Sequence, residues 1–232
     1  MEGRCEEGGE GGKELRGCAL AIFLFGSPLP IVVTERSVPD WHDRPPIRVE
    51  IGDLVFRRGK GFWTKYFINS STREKRFSHV GMVVSNENDH VLLIHSEADD
   101  LTGVGGVGLS NWQSFFNHAL ECAVFRYNGS HNDLVQIVTK GQQMLGVPFD
   151  ASFNMENTNR LYCTEFIRIA INDGLKTNLV GWTEINGCRI VAIDDIYRNG
   201  FIKVFDSCCS RQNTNNVSSI IGHEKITNGD VN

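Results

Sequence analysis

Two separated stretches carry residues able to do nucleophilic chemistry. Phe77-Ser78-His79-Val80-Gly81-Met82-Val83-Val84 places a histidine on a short apolar run, and Leu161-Tyr162-Cys163-Thr164-Glu165-Phe166-Ile167 places a cysteine where a helix starts. A thiol beside an imidazole is an activated nucleophile, because the imidazole can take the thiol proton. In the first turn of a helix the positive end of the dipole is expected to lower the thiol pKa, leaving thiolate near neutral pH. Each residue alone also has an ordinary reading, a buried core cysteine or a structural strand histidine. Their joint presence makes them candidates, Cys163 as nucleophile and His79 as base.

A base of this kind is commonly oriented by a third polar group. Side chains alternate along a strand, so His79, Gly81 and Val83 share one face, and Gly81 leaves room beside the imidazole. His95 and Glu97 are two residues apart on the following run and also share a face. Sixteen residues and a hairpin separate His79 from His95, which can bring them side by side. His95 is therefore the candidate orienting residue, with Glu97 in reserve as either a third member or a solvated strand-end charge.

The elements that must position these groups are legible from periodicity. Residues 47–56 read as a strand with a turn or bulge near Gly52. Residues 61–69 read as a short amphipathic helix on Phe62, Trp63, Tyr66 and Phe67. Strands 78–84 and 90–96 form a hairpin about Asn86-Glu87-Asn88-Asp89, and residues 102–108 (TGVGGVG) read as a flexible loop without a phosphate-binding pattern. A helix over 111–116 and a strand over 121–127 follow. Leu134, Ile137, Val138, Gly141, Met144 and Leu145 mark a helix capped by Asn132 and closed at Gly146. The cysteine helix runs over about 160–173 with Gly174 as its stop. Asp194 is expected to cap a one- or two-turn helix before a last strand at 201–205. Helices mixed with a hairpin-built sheet define an α+β class.

Size and composition set bounds. The 232 residues, 41% hydrophobic and 22% charged, suit one domain with tails or at most two small domains, and the periodic elements place the folded part at 46–206. Residues 1–45 read as a disordered or targeting tail and linker, and 207–232 as a polar C-terminal tail. Residues 18–33 (CALAIFLFGSPLPIVV), preceded by Lys13 and Arg16, resemble a signal-peptide core, although the Glu- and Gly-rich start is a poor leader. If they act as one, the protein is exported or periplasmic; otherwise it is cytoplasmic. The net charge of -5 gives no general affinity for nucleic acid. Seven cysteines without a C-x-x-C pair signal neither a zinc site nor a disulfide framework. The basic run from Arg57 to Arg76, interleaved with Trp63, Tyr66 and Phe67, reads as a solvated basic face over an aromatic stripe. An anionic or acyl-chain site, with membrane-surface contact near Trp63 and Phe67, is the other reading.

Four segments together resemble one family. Gly52-Asp53-Leu54-Val55-Phe56, Arg76-Phe77-Ser78-His79-Val80-Gly81-Met82-Val83, Leu145-Gly146-Val147-Pro148-Phe149-Asp150 and Tyr162-Cys163-Thr164-Glu165-Phe166 are similar, in the same order, to motifs of the permuted papain-like hydrolases of the YiiX/YebB type, within the NlpC-like superfamily. The resemblance implies a circularly permuted papain-like fold, an antiparallel sheet or partial barrel packed against the helix that carries the cysteine. It also implies Cys163 as nucleophile, His79 as base and His95 at the third polar position. Tyr162 falls beside the nucleophile as a substrate or oxyanion contact or as a packing residue. The expected function is a cysteine hydrolase cleaving an amide or ester of a peptide, cell-wall or lipid-like substrate through an acyl-enzyme. A lipid acyltransferase or thioesterase, or a binding module without turnover, is the alternative. No metal or organic cofactor is expected.

Overall fold

The computed structural model describes residues 40–61, 63–87, 90–157 and 159–208. The apolar segment at 18–33, Phe62, the turn residues Asn88 and Asp89, and the tail from 209 onward lie outside the described residues. No described helix is long and apolar enough to cross a membrane.

In chain order the elements are β1 (Leu54–Arg58), α1 (Thr64–Ser70), β2 (His79–Glu87), β3 (His90–Ala98), β4 (Gly105–Asn111), α2 (Trp112–Phe116), β5 (Glu121–Tyr127), α3 (His131–Gln143), α4 (Cys163–Leu175), β6 (Thr183–Ile185), β7 (Cys188–Ile190), α5 (Ile193–Ile196) and β8 (Phe201–Asp206). An antiparallel sheet in the order β4-β3-β2-β1-β5-β8 organises them. Strand alternation splits its side chains between two cores. Leu54, Phe56, Val80, Met82, Ile94 and Phe125 pack with Ile137 of α3 and Phe166, Ile167 and Ile171 of α4. Val55, Val83, Leu93 and Val124 pack on the other side with Trp41 and with Trp112, Phe115 and Phe116 of α2. The α+β class and the sheet-on-cysteine-helix arrangement are therefore those expected.

Several local expectations need correction. The 102–108 segment is not simply a flexible loop, since Gly105 begins strand β4. Its glycines permit close approach: a Cβ on Gly106 would sit 2.2 Å from the Val147 carbonyl oxygen. That approach lets Val107 N–H donate to Val147 O and Gly146 N–H to Val107 O, so residues 146–149 cover the outer edge of β4. Strand β1 starts at Leu54, because Ile51 and Gly52 form a turn in which Gly52 has φ +89°. Ser130, not Asn132, caps α3, through a capping box with Asp133. Gly174 does not stop α4; the helix continues to Leu175 and ends at Lys176 in the left-handed region. Gly174 instead lies so close to α3 that a Cβ would meet Ile137 Cα at 2.9 Å. Ala192, not Asp194, is the N-cap of α5. Asp194 Oδ2 instead accepts from the backbone N–H of Thr72 and Arg73, at 3.0 and 2.6 Å, tying down the loop that leads into β2. The β6–β7 hairpin was not foreseen, its strands being three residues each.

Candidate active site

Strand pairing creates the space in which the two candidate residues meet. Arg57 pairs with His79 and Phe56 with Val80 on the β1 side. On the other side the β2–β3 register begins only at Met82 and Ile94, leaving His79 to Gly81 without partners on β3. The start of α4 is held against this gap. Ser96 Oγ of β3 donates to Leu161 O at 2.5 Å, and Leu161 N–H donates to Pro148 O at 2.9 Å. Thr164 Oγ1 donates to Val191 O at 2.6 Å, and Val191 N–H donates to the Tyr162 hydroxyl at 2.8 Å. These bonds fix the first turn of α4 from three directions, and with it the sulfur of its first residue, Cys163.

Cys163 and His79 line one cleft of about 480 Å³. Its walls include the charged residues Arg57, Lys60, Glu97 and Asp100 and the aromatic rings of Trp63, Phe67 and Phe149. The Cys163 thiol receives the backbone N–H groups of Val80 and Thr164. His79 is turned by its other neighbour: its Nε2 lies 3.0 Å from His95 Nδ1, and His95 Nε2 lies 2.8 Å from Ser110 Oγ. Phe115 packs against both imidazoles, with ring centroids 5.5 Å from His79 and 5.1 Å from His95. Glu97 bonds Arg57 through Oε1, while its Oε2 lies 3.7 Å from His95 Nδ1. One donor atom from each of His79, His95 and Glu97 lies within 4.8 Å of the other two.

The electrostatics differ from the expectation for a helix-terminal thiol. Burial pushes the Cys163 thiol up to about 12, and the two backbone N–H groups offset only part of that rise. Desolvation outweighs the helix end here because Cys163 is 1% exposed. Burial, reinforced by the positive charge of Arg57, holds His79 well below the usual imidazole range. His95 is lowered to about 3 by burial and by the proximity of His79. Burial of both groups thus favours the neutral thiol and the neutral imidazole over an ion pair.

Cys163, His79 and Glu97 line one cleft, and His95 contacts His79 beside it. Of the two readings of Tyr162, the geometry favours packing: it is 1% exposed, absent from the cleft lining, and its hydroxyl accepts from Val191 N–H, which anchors the helix start. Phe67 is 4% exposed and, with Trp63, forms part of the cleft wall. Among the described residues, three of the seven basic residues from Arg57 to Arg76 pair with carboxylates. Arg57 pairs with Glu97, Arg58 with Glu121, and Arg76 with Glu74, Glu121 and Asp206. Sequence reasoning missed Ser110, which extends the histidine pair. Reading 102–108 as a loop removed the strand that carries it, although the alternation of small residues through Gly106, Gly108 and Ser110 was a usable signal.

Comparison with known proteins agrees with the fold and with the motifs. A solved structure described as metalloprotein yiiX from Escherichia coli O157:H7 superposes with a TM-score of 0.57 at 17% identity, covering 69% of this chain and 99% of that one. No curated protein matches the sequence. The family described as permuted papain-like amidase enzyme, YaeF/YiiX, C92 family, matches residues 48–180, a span that holds β1, the histidine hairpin and the cysteine helix. The chain belongs to this family of permuted papain-like amidases.

Proposed function

We propose that the protein is a cysteine amidase in which Cys163 attacks the substrate carbonyl and His79 moves the protons. The observation that carries this reading is the shared cleft: Cys163 and His79 line one cavity, and His79 Nε2 is already engaged by His95. That contact leaves Nδ1 as the basic nitrogen. A lone pair on His79 Nδ1 puts the proton on Nε2, donated to His95 Nδ1. His95 then carries its own proton on Nε2 and donates it to Ser110 Oγ. The reverse set, with Ser110 Oγ donating to His95 Nε2, would put the His79 proton on Nδ1, so the active form is the one in which His79 donates.

In the forward step the Cys163 S–H proton passes to His79 Nδ1 as the sulfur bonds the carbonyl carbon. The carbonyl electrons move onto oxygen, where the backbone N–H of Cys163 at the helix start contributes to the oxyanion site. Collapse breaks the C–N bond, and His79 protonates the departing amine. Water then attacks the thioester, giving a proton to His79; the acid leaves and the thiol is restored. Because the resting pair is neutral, proton transfer accompanies attack rather than preceding it. His95 touches neither substrate nor the reacting atoms and acts as a positioning residue. The catalytic cycle itself needs no metal.

Trp63, Phe67 and Phe149 in the cleft wall favour a second substrate class, an apolar acyl ester or thioester resolved by water or by another acceptor. Purified protein assayed on peptide amides and on fatty-acyl esters, with Cys163→Ala as control, separates the two. Turnover lost in Cys163→Ala is the expected result. Full activity in that variant would remove Cys163 from the mechanism.

A further inference from the structure

We infer that His79, His95 and Glu97 form a binding site for a zinc-class divalent cation whose occupancy shuts the catalytic base off. The donor set is two imidazoles and one carboxylate, which suits zinc; magnesium and calcium take oxygen ligands. The spacing fits as well. Tetrahedral ligands at about 2.0–2.1 Å from zinc lie about 3.3 Å from one another. Two of the three separations bracket that value, 3.0 Å between His79 Nε2 and His95 Nδ1 and 3.7 Å between His95 Nδ1 and Glu97 Oε2, and all three donor atoms lie within 4.8 Å of one another.

The surrounding groups prepare the donors. His95 Nε2 lies 2.8 Å from Ser110 Oγ, so a proton held there leaves the lone pair on Nδ1, the nitrogen that faces His79 Nε2. Glu97 bonds Arg57 through Oε1 alone, which orients the carboxylate and keeps Oε2 for a cation. Entry runs through the cleft, which both His79 and Glu97 line, the Glu97 side chain being 45% exposed.

The inhibitory half of the inference rests on the reading of His79 as the base. Catalysis requires the proton on Nε2 and the lone pair on Nδ1. A cation at Nε2 requires the reverse: the Nε2 proton is released, and the neutral ring must carry its proton on Nδ1. The nitrogen that would accept the thiol proton is then already protonated. Cation binding and thiol activation therefore exclude each other, and chelation restores the free base.

The test reads binding apart from turnover. Cys163→Ala protein, which keeps all three donors, is titrated with Zn2+ by calorimetry and with Co2+ by visible absorption. The expected result is one equivalent bound per chain, with cobalt d–d bands of a low-coordinate nitrogen and oxygen site, and no competition from Mg2+. Adding Glu97→Gln or His95→Ala should weaken binding by at least about tenfold, the effect that loss of even an outer-shell partner has on such sites. Glu97 is half exposed, so Glu97→Gln carries the test if His95→Ala does not fold. Absence of binding, or affinity undiminished in the Glu97→Gln background, would overturn the site. In the wild type, Zn2+ should suppress turnover reversibly with chelator. Zinc bound at these residues without loss of turnover would overturn the exclusion and the assignment of His79 as base, while leaving the site itself intact.

Discussion

His79 Nε2 and His95 Nδ1 are 3.0 Å apart, with ring planes at 88° to each other. An edge-on contact of this kind fixes the rotation of His79 and leaves its other ring nitrogen for the cleft; in the proposed active tautomer His79 Nε2 donates to His95. His95→Ala should therefore lower kcat by about 10²-fold, toward the low end of what acid–base catalysis supplies, with KM little changed. His95→Asn should recover part of the loss, because its amide oxygen can accept from His79 Nε2–H. Steady-state kinetics of the pair check this; equal loss in both variants would argue for a packing role alone.

The raised thiol pKa gives a distinct pH signature. With Cys163 pushed up to about 12, its alkylation by iodoacetamide should climb roughly tenfold per pH unit through the neutral and mildly alkaline range. Subtracting the rate of Cys163→Ala removes the contribution of the other thiols, such as exposed Cys188 and Cys208. A reactivity plateau beginning on the acid side of neutrality would reveal a preformed thiolate–imidazolium pair and contradict the neutral resting state.

Glu165 lies in the first turn of the cysteine helix at 3% exposure, and its Oε2 has no hydrogen-bond partner among the described residues. Burial, with the negative charge of Asp150 beside it, raises its carboxyl from 4.5 to about 8. The folded state then holds a proton that the unfolded chain releases above about 4.5. Stability from this group is complete below that pH and is lost as the pH rises toward and through about 8. Relative to wild type, Glu165→Gln should gain in Tm progressively from pH 4.5 to pH 8 and little below. Thermal melts of the two proteins across this range test it, and a constant difference would remove Glu165 as the titrating group.

Much of this arrangement was readable before any coordinates. Alternation in 77–84 and 90–96 gave the hairpin, and the shared parity of His95 and Glu97 put both near His79. What sequence could not weigh was competition between environments. A helix start argues for a depressed thiol pKa, yet burial at the sheet–helix junction reverses the sign at Cys163. Tyr162 next to the nucleophile looked available to substrate, but its hydroxyl is taken by Val191, 29 residues away in sequence. Ser110 was hidden because glycines that allow backbone contact between β4 and residues 146–149 read locally as a flexible loop. The thiol pKa and the Tyr162 partner depend on long-range contacts that local spacing does not encode, whereas the Gly106, Gly108, Ser110 alternation was a local signal outweighed by its glycines.

Gly81 offers a test of how tightly the histidine pair is held. It lies on β2 opposite Val55, and a Cβ there would meet Phe115 Cε2 at 2.9 Å and His95 Cβ at 3.4 Å. Phe115 is 1% exposed and packed against both imidazoles, so it has little room to retreat except by displacing them. Overpacking of this kind costs about 1–3 kcal/mol. Gly81→Ala should therefore lower the urea midpoint by a corresponding amount and reduce kcat beyond what partial unfolding explains, because the ring shift also misaligns His79. Phe115→Leu, added to Gly81→Ala, makes room for the methyl group and should restore part of both. Urea unfolding and kcat measured on the single and double variants give the answer, and failure of the second change to recover either quantity would mean that the added methyl group acts through some other contact.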